Sequence, residues 1–176
     1  MSSGGGGMRE RYAGVVIGVV REVDDPERQG RIRVEFPWMA DGQRSAWASV
    51  AAAMAGGGRG AFFMPEPDDE ALVAFQHGDF QHPYIVGFLW NGRDGAPAPD
   101  RRLRLLRSVN GHEVALYDPE VTGGDQGHIR ITAANGDEIR LGNQGISIRS
   151  RAAVVIDAPT VAINQRPVLP MAGRPI

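Results

Sequence analysis

The sequence predicts an all-β chain in two parts: a small closed barrel, then a β-helix needle that three copies of the chain build by intertwining. Three observations carry this. Gly and Pro number 24 and 12 among 176 residues, and no long stretch shows the apolar period of an amphipathic helix. Residues 12–90 hold several runs rich in β-branched and aromatic residues, separated by turn-formers. Residues 127–163 repeat a much shorter unit, apolar–x–apolar, every seven to ten residues.

The chain opens with Met1-Ser2-Ser3 and four glycines, which reads as a flexible leader over 1–9 with no apolar signal-peptide core. Tyr12 to Val23 is dense in Val and Ile, a long strand bent at Gly14 and Gly18. A turn at Asp24-Asp25-Pro26-Glu27 leads to Gly30–Phe36, where Ile32, Val34 and Phe36 face inward and Arg31, Arg33 and Glu35 outward. Ser45–Val50 is expected as a strand with Trp47 in the core, and Gly60–Met64 as another, ended by Pro65. Ala71–Phe75 and Pro83–Trp90 follow, with a turn at Gly78-Asp79. Five or six strands in this space fit a barrel of the OB type over 10–92. The Pro- and Gly-rich composition after it reads as a linker over 93–107.

The needle is expected over 108–163. Its inward positions are Ile129 and Ile131, Ile139 and Leu141, Ile146 and Ile148, Val154 and Ile156, Val161 and Ile163. The residues between are polar or small, with Val155 the one break. Asn135-Gly136-Asp137, Gly142 to Gly145 and Ala158-Pro159-Thr160 are the turns. One copy alone would leave strand edges open and bury too little to offset the entropy of ordering. Three copies wound about one axis resolve both problems; a single-chain solenoid is the alternative. The tail, 164–176, with three prolines, cannot continue the repeat. When tripled, Val168, Leu169, Met171 and Ile176 would form an apolar platform for a tip protein, or close on themselves as a point.

The composition narrows function. Net charge is −2 and all 19 basic residues are arginine. There is no Cys, hence no disulfide framework or Cys-based zinc site, and no apolar run approaches the length of a membrane helix. His77 and His82 flank a turn and read as solvated; three-fold symmetry could bring copies of His112 or His128 together, but hydrogen-bonded or exposed roles suit them better. Asp68-Asp69-Glu70 is no catalytic carboxylate pair, because neighbours on a strand point to opposite faces. Ser45 and Ser49 sit in no nucleophile elbow, and Gly56-Gly57-Gly58 lacks the Lys-Ser/Thr of a phosphate loop. No catalysis, cofactor or metal is expected. The run Arg101–Arg107 (RRLRLLR) is the best basic patch for a nucleic acid, but beside the apolar Leu103, Leu105 and Leu106 it reads as an outward charged face.

The first 90 residues resemble the OB module of contractile-injection spikes, the baseplate V proteins of contractile-tailed phages and the valine–glycine-repeat (VgrG) spikes of secretion systems. The resemblance is carried by Asp25-Pro26-Glu27, Gly30–Val34 and Phe36-Pro37-Trp38, then Glu70 before Leu72–Phe75, Gly78-Asp79, Pro83 and Ile85–Gly87. Ser108–Asp118 is similar to the segment that joins barrel to needle in phage-like spikes. The resemblance implies a homotrimer with a collar of three barrels and a triangular needle. It places that trimer at the centre of the baseplate of an assembled particle, made in the cytoplasm and driven through a target membrane only transiently on sheath contraction. It implies a separate hub protein linking it to the inner tube, because this chain starts at the barrel, and a tip protein of the proline–alanine–alanine–arginine (PAAR) type. The iron-binding His-x-His pair of some phage spikes has no counterpart after His128, and the short span from Trp90 to Ser108 leaves no room for the lysozyme domain of others. Two other classes compete: an OB-fold nucleic-acid binder with a β-rich tail, and a solenoid acyltransferase, whose tight hexapeptide period this repeat lacks.

Overall fold

In the computed structural model, residues 12–120, 124–164 and 166–167 are described. The chain divides between Ala96 and Pro97 into two units.

The first unit is a barrel. Its strands are β1 (Val15–Glu22), β2 (Arg31–Glu35), β3 (Ala48–Val50), a minor hairpin of β4 (Ala55–Gly56) and β5 (Arg59–Gly60), then β6 (Glu70–Phe75) and β7 (Pro83–Leu89). The closed order is β1-β2-β3-β7-β6, with every pair antiparallel except β3 with β7. That order, with its single parallel pair, is the OB arrangement. β1 closes the barrel by serving two neighbours: Val15–Val19 pair with β6, and Val19–Glu22 with β2. Gly18 lies where the two pairings meet, and a Cβ there would stand 2.9 Å from Val34 Cγ2. The bend anticipated at this glycine is thus a close approach between strands.

Alternation places Val20, Ile32, Val34, Phe36, Ala48, Ala71, Val73, Phe75 and Ile85 in one buried core. Tyr12, Phe36, Phe75 and Phe80 cluster at one end with centroids 5.3–5.8 Å apart. The turn before β2 is cinched by Asp25, whose nearly buried carboxylate accepts the backbone N–H groups of Glu27, Gln29 and Arg31 and the Arg31 guanidinium at 2.8 and 3.0 Å. The Arg31 hydrogen bonds, then those backbone donors, hold this carboxyl far below the ordinary range of an aspartate.

Three expectations for the barrel are corrected. Trp47 is only half-buried, with the Arg33 guanidinium 5.1 Å above its ring. The strand expected at 45–50 begins at Ala48, because Ser45 bonds Val34 through both its backbone N–H and its Oγ at 2.8 and 3.1 Å. Beyond Gly60, which ends β5, residues 61–64 form no strand: β7 already occupies the edge of β3, and Phe62 and Phe63 point outward.

The second unit is an antiparallel meander of five equal strands: β8 (Leu103–Arg107), β9 (Glu113–Tyr117), β10 (His128–Thr132), β11 (Glu138–Gly142) and β12 (Gly145–Arg149). A short hairpin of β13 (Ala162–Ile163) and β14 (Arg166–Pro167) follows. The span 93–107 is therefore not all linker; its end is the first strand of this sheet. Within one chain, consecutive strands pair as hairpins, so β9, β10 and β11 have no open edge and only β8 and β12 do. Two of the three expected turns join strands of the sheet: Asn135 and Asp137 side chains close the β10–β11 turn around Gly136, and Gly142–Gly145 the next, while Ala158-Pro159-Thr160 lies in the irregular stretch after β12.

Candidate functional site: an uncovered apolar sheet face

Register aligns the meander into rows. Leu116, Ile129, Leu141 and Ile146 are direct cross-strand neighbours, and so are Leu106, Val114, Ile131, Ile139 and Ile148. Partners in register share a face, and i, i+2 residues do too. These nine aliphatics therefore cover one side of the sheet. All nine are exposed, from 37% at Leu141 to 72% at Ile146.

The opposite side has the reverse character. There Ala115 is 1% exposed, and Glu113, at 8%, is enclosed by two arginines. Glu113 accepts from Arg107 at 2.5 and 3.0 Å and from Arg130 at 2.8 Å. These bonds, Arg130's first, lower its pKa below the usual value of 4.5. Tyr117 and His128 pack in a tilted pair with centroids 5.4 Å apart, and burial, then Arg140, lowers the histidine's pKa. Glu113 and Ala115 are thus enclosed on that side, while the aliphatic side is turned to water. Roughly 800–900 Å² of apolar surface is uncovered, above the 300–600 Å² largest patch of a typical monomer.

Of the ten positions expected to face inward, six, Ile129, Ile131, Ile139, Leu141, Ile146 and Ile148, are brought together on this face. Val154 and Ile156 lie in an irregular, exposed stretch, Val161 just precedes β13, and Ile163 is within it. The break at Val155 disturbs the alternation that a strand there would need. Val168, Leu169, Met171 and Ile176, the expected tip platform, lie outside the described residues. Leu106, Val114 and Leu116 belong to the face but were not among the ten. Val114 and Leu116 carry the same apolar–x–apolar signal; Leu106 was hidden in a segment read as linker.

The other candidates resolve locally. In Arg101–Arg107, Arg102 pairs with Asp100, Arg104 with Asp118 at 2.6 Å and Arg107 with Glu113, so carboxylates neutralise much of that run. His112 accepts the Ala134 N–H through Nδ1 at 3.2 Å, and His82 lies 3.2 Å from Asp79. Among the described residues no group of three or more His, Asp or Glu is arranged to hold a metal, and no helix is long and apolar enough to cross a membrane.

Comparison with known proteins divides the chain in the same way. Residues 16–90 match the type VI secretion system/phage-baseplate injector OB domain, and residues 104–168 match the phage baseplate V C-terminal trimerisation domain. Type VI secretion system spike protein VgrG4b of Pseudomonas aeruginosa is 36% identical over 87 residues, 47% of this chain and 11% of that protein. VgrG3 of Vibrio cholerae is 30% identical over 95 residues, 51% of this chain and 9% of its own length. VgrG5 of P. aeruginosa is 29% identical over 130 residues, 70% of this chain and 15% of its own. The chain thus spans only 9–15% of the length of these relatives.

Proposed function

Because the chain belongs to the family of phage-baseplate and type VI secretion injector spikes, we propose that it is the central spike of a contractile injection machine, working as a homotrimer whose role is mechanical. The observation that carries this is the aliphatic face of the meander, nine residues aligned in register and all turned to solvent.

Simple dimensions support a three-fold arrangement. A five-residue strand is about 17 Å long, so three strands forming the sides of a triangle would each lie about 5 Å from its axis, half the ~10 Å spacing of face-packed sheets. Two inward aliphatics from each strand would then fill the triangle, and the layers would stack at the ~4.8 Å strand spacing. Such a prism is dry inside and hydrogen-bonded along its walls. Axial force would pass through it without a hinge, as a piercing needle requires. The intertwined β-helix of the C-terminal part belongs to this reading, since it is a property of three chains together.

On this reading a separate hub protein joins the spike to the inner tube, a PAAR-type protein caps the needle, and the target membrane is met only in passage. No catalytic step or cofactor enters the mechanism, and carboxylate pairing of the RRLRLLR run disfavours a nucleic-acid partner. The test is composition: isolate sheath–tube–baseplate particles from the producing cells and quantify this chain by mass spectrometry. Three copies per particle are expected, and its absence from purified particles would overturn the assignment.

A further inference from the structure

The aliphatic face of the meander has one break in its pattern. Arg104 of β8 stands in register with Leu116. It therefore holds the place on β8 that Leu116, Ile129, Leu141 and Ile146 hold on β9 to β12. The other places in the two rows are all aliphatic; this one is a cation. Its guanidinium donates to the Asp118 carboxylate, just beyond β9, at 2.6 Å. The Asp118 N–H donates in turn to the Arg102 carbonyl at 3.1 Å, which continues the β8–β9 ladder and fixes where that carboxylate stands.

We propose that the Arg104–Asp118 pair is a register mark: it sets the level at which the three meanders align along their common axis. The aliphatic rows cannot set it alone. Each of β9 to β12 presents two Val, Leu or Ile side chains at the same two places. A copy displaced by one strand, ~4.8 Å, would still lay aliphatic pairs against aliphatic pairs. Repetition of this kind specifies register weakly. Only the β8 level differs. β8 is an edge strand, so in the aligned trimer the three ion pairs lie together at one end of the interior. Both side chains are 64% exposed in the single chain, so the pair keeps its water there. Displacement in either direction sets at least one pair against the Val114 and Leu116 level of a neighbour, where the charges shed water that aliphatic walls do not replace. A lone polar residue in an apolar seam selects the register of coiled coils for the same reason, at a cost in stability. This inference rests on the trimer proposed above.

Symmetry supplies the readout. Three copies aligned at one level are equivalent and give one resonance per isoleucine methyl, whereas a displaced copy makes the three inequivalent. The full-length chain, labelled at its isoleucine δ1 methyls, is sized by light scattering and compared by methyl NMR with a double variant, Arg104→Leu with Asp118→Asn. The unaltered trimer should show one peak per isoleucine. The double variant should stay trimeric and show two or more peaks for Ile146 and Ile148, on the opposite edge strand β12, where a displaced copy loses a neighbouring level. The reversed pair, Arg104→Asp with Asp118→Arg, should return the single set. Arg104→Met with Asp118→Asn repeats the test should the Leu variant not be recovered folded. Single peaks throughout a trimeric double variant overturn the register mark and leave the proposed function standing. So does a double variant that falls to monomers, since the pair would then hold the copies together rather than align them, and so do extra peaks that persist in the reversed pair. An unaltered chain that is not trimeric overturns the proposed function and this inference together.

Discussion

Ile131→Asp is the perturbation that probes the meander most sharply. Ile131 sits on β10 between Val114 and Ile139, in the middle of the aliphatic face. It is 45% exposed in one chain, so burying the rest removes roughly 90 Å² from water, about 2 kcal/mol at 25 cal/mol per Å². An ionised carboxylate in its place would face a dry interior, which costs several kcal/mol more per ion. Three copies meet at the same level by symmetry, bringing the loss to roughly 15–25 kcal/mol per trimer at neutral pH. Each 1.4 kcal/mol is tenfold in an equilibrium constant, so the trimer should vanish at any workable concentration. The barrel lies in the other unit and should keep its fold. Light scattering should therefore report a monomer, and near-ultraviolet circular dichroism should retain the Trp and Tyr signals of the barrel. Arg140→Asp, on the opposite face of the neighbouring strand, is the control and should leave the trimer intact. A trimer of Ile131→Asp as resistant to dilution as the unaltered protein would refute the assignment of this face to the interior.

Three further outcomes follow from the geometry. Gly18→Ala places a methyl 2.9 Å from Val34 Cγ2 in the packed barrel, and should destabilise that unit by about 1–3 kcal/mol in denaturant titration. Glu113→Gln breaks the enclosure by Arg107 and Arg130 and should cost about 1–3 kcal/mol at neutral pH. The folded carboxyl has the lower pKa, so its stabilisation is complete above 4.5 and is lost as pH falls through the depressed folded value. The unaltered protein should accordingly weaken in acid, and the Gln variant should show a shallower acid limb when unfolding midpoints are followed against pH. Asp25→Asn removes the charge that gathers three backbone donors and Arg31, and should lower the thermal transition of the barrel with little effect on trimer mass.

The barrel was legible because its strands alternate cleanly. Ile32, Val34 and Phe36 announce their inward face by period alone, and the turn at Asp25-Pro26 fixes where β2 begins. What escaped was competition for edges. Nothing in Gly60–Met64 reveals that β7 has already taken the place beside β3, so a plausible strand became a loop with two exposed phenylalanines. Trp47 was misplaced for a related reason: hydropathy places an indole inside, whereas Arg33 covers it with a cation. In the second unit the apolar–x–apolar pairs gave the face but not the pairing. Antiparallel hairpins and solenoid coils have the same period of two, and only the tight turns at Asn135–Asp137 and Gly142–Gly145 favour the hairpin. Leu106 was lost because arginines surround it, although its register with Val114 puts it on the apolar side.

The central claim is that the meander's aliphatic face is covered by two further copies of the chain. Sedimentation equilibrium of the unaltered protein at sub-micromolar concentration tests it most directly. Three times 18.9 kDa, about 57 kDa, is the mass the account predicts; a stable 18.9 kDa species with that face still folded and open to solvent would contradict it.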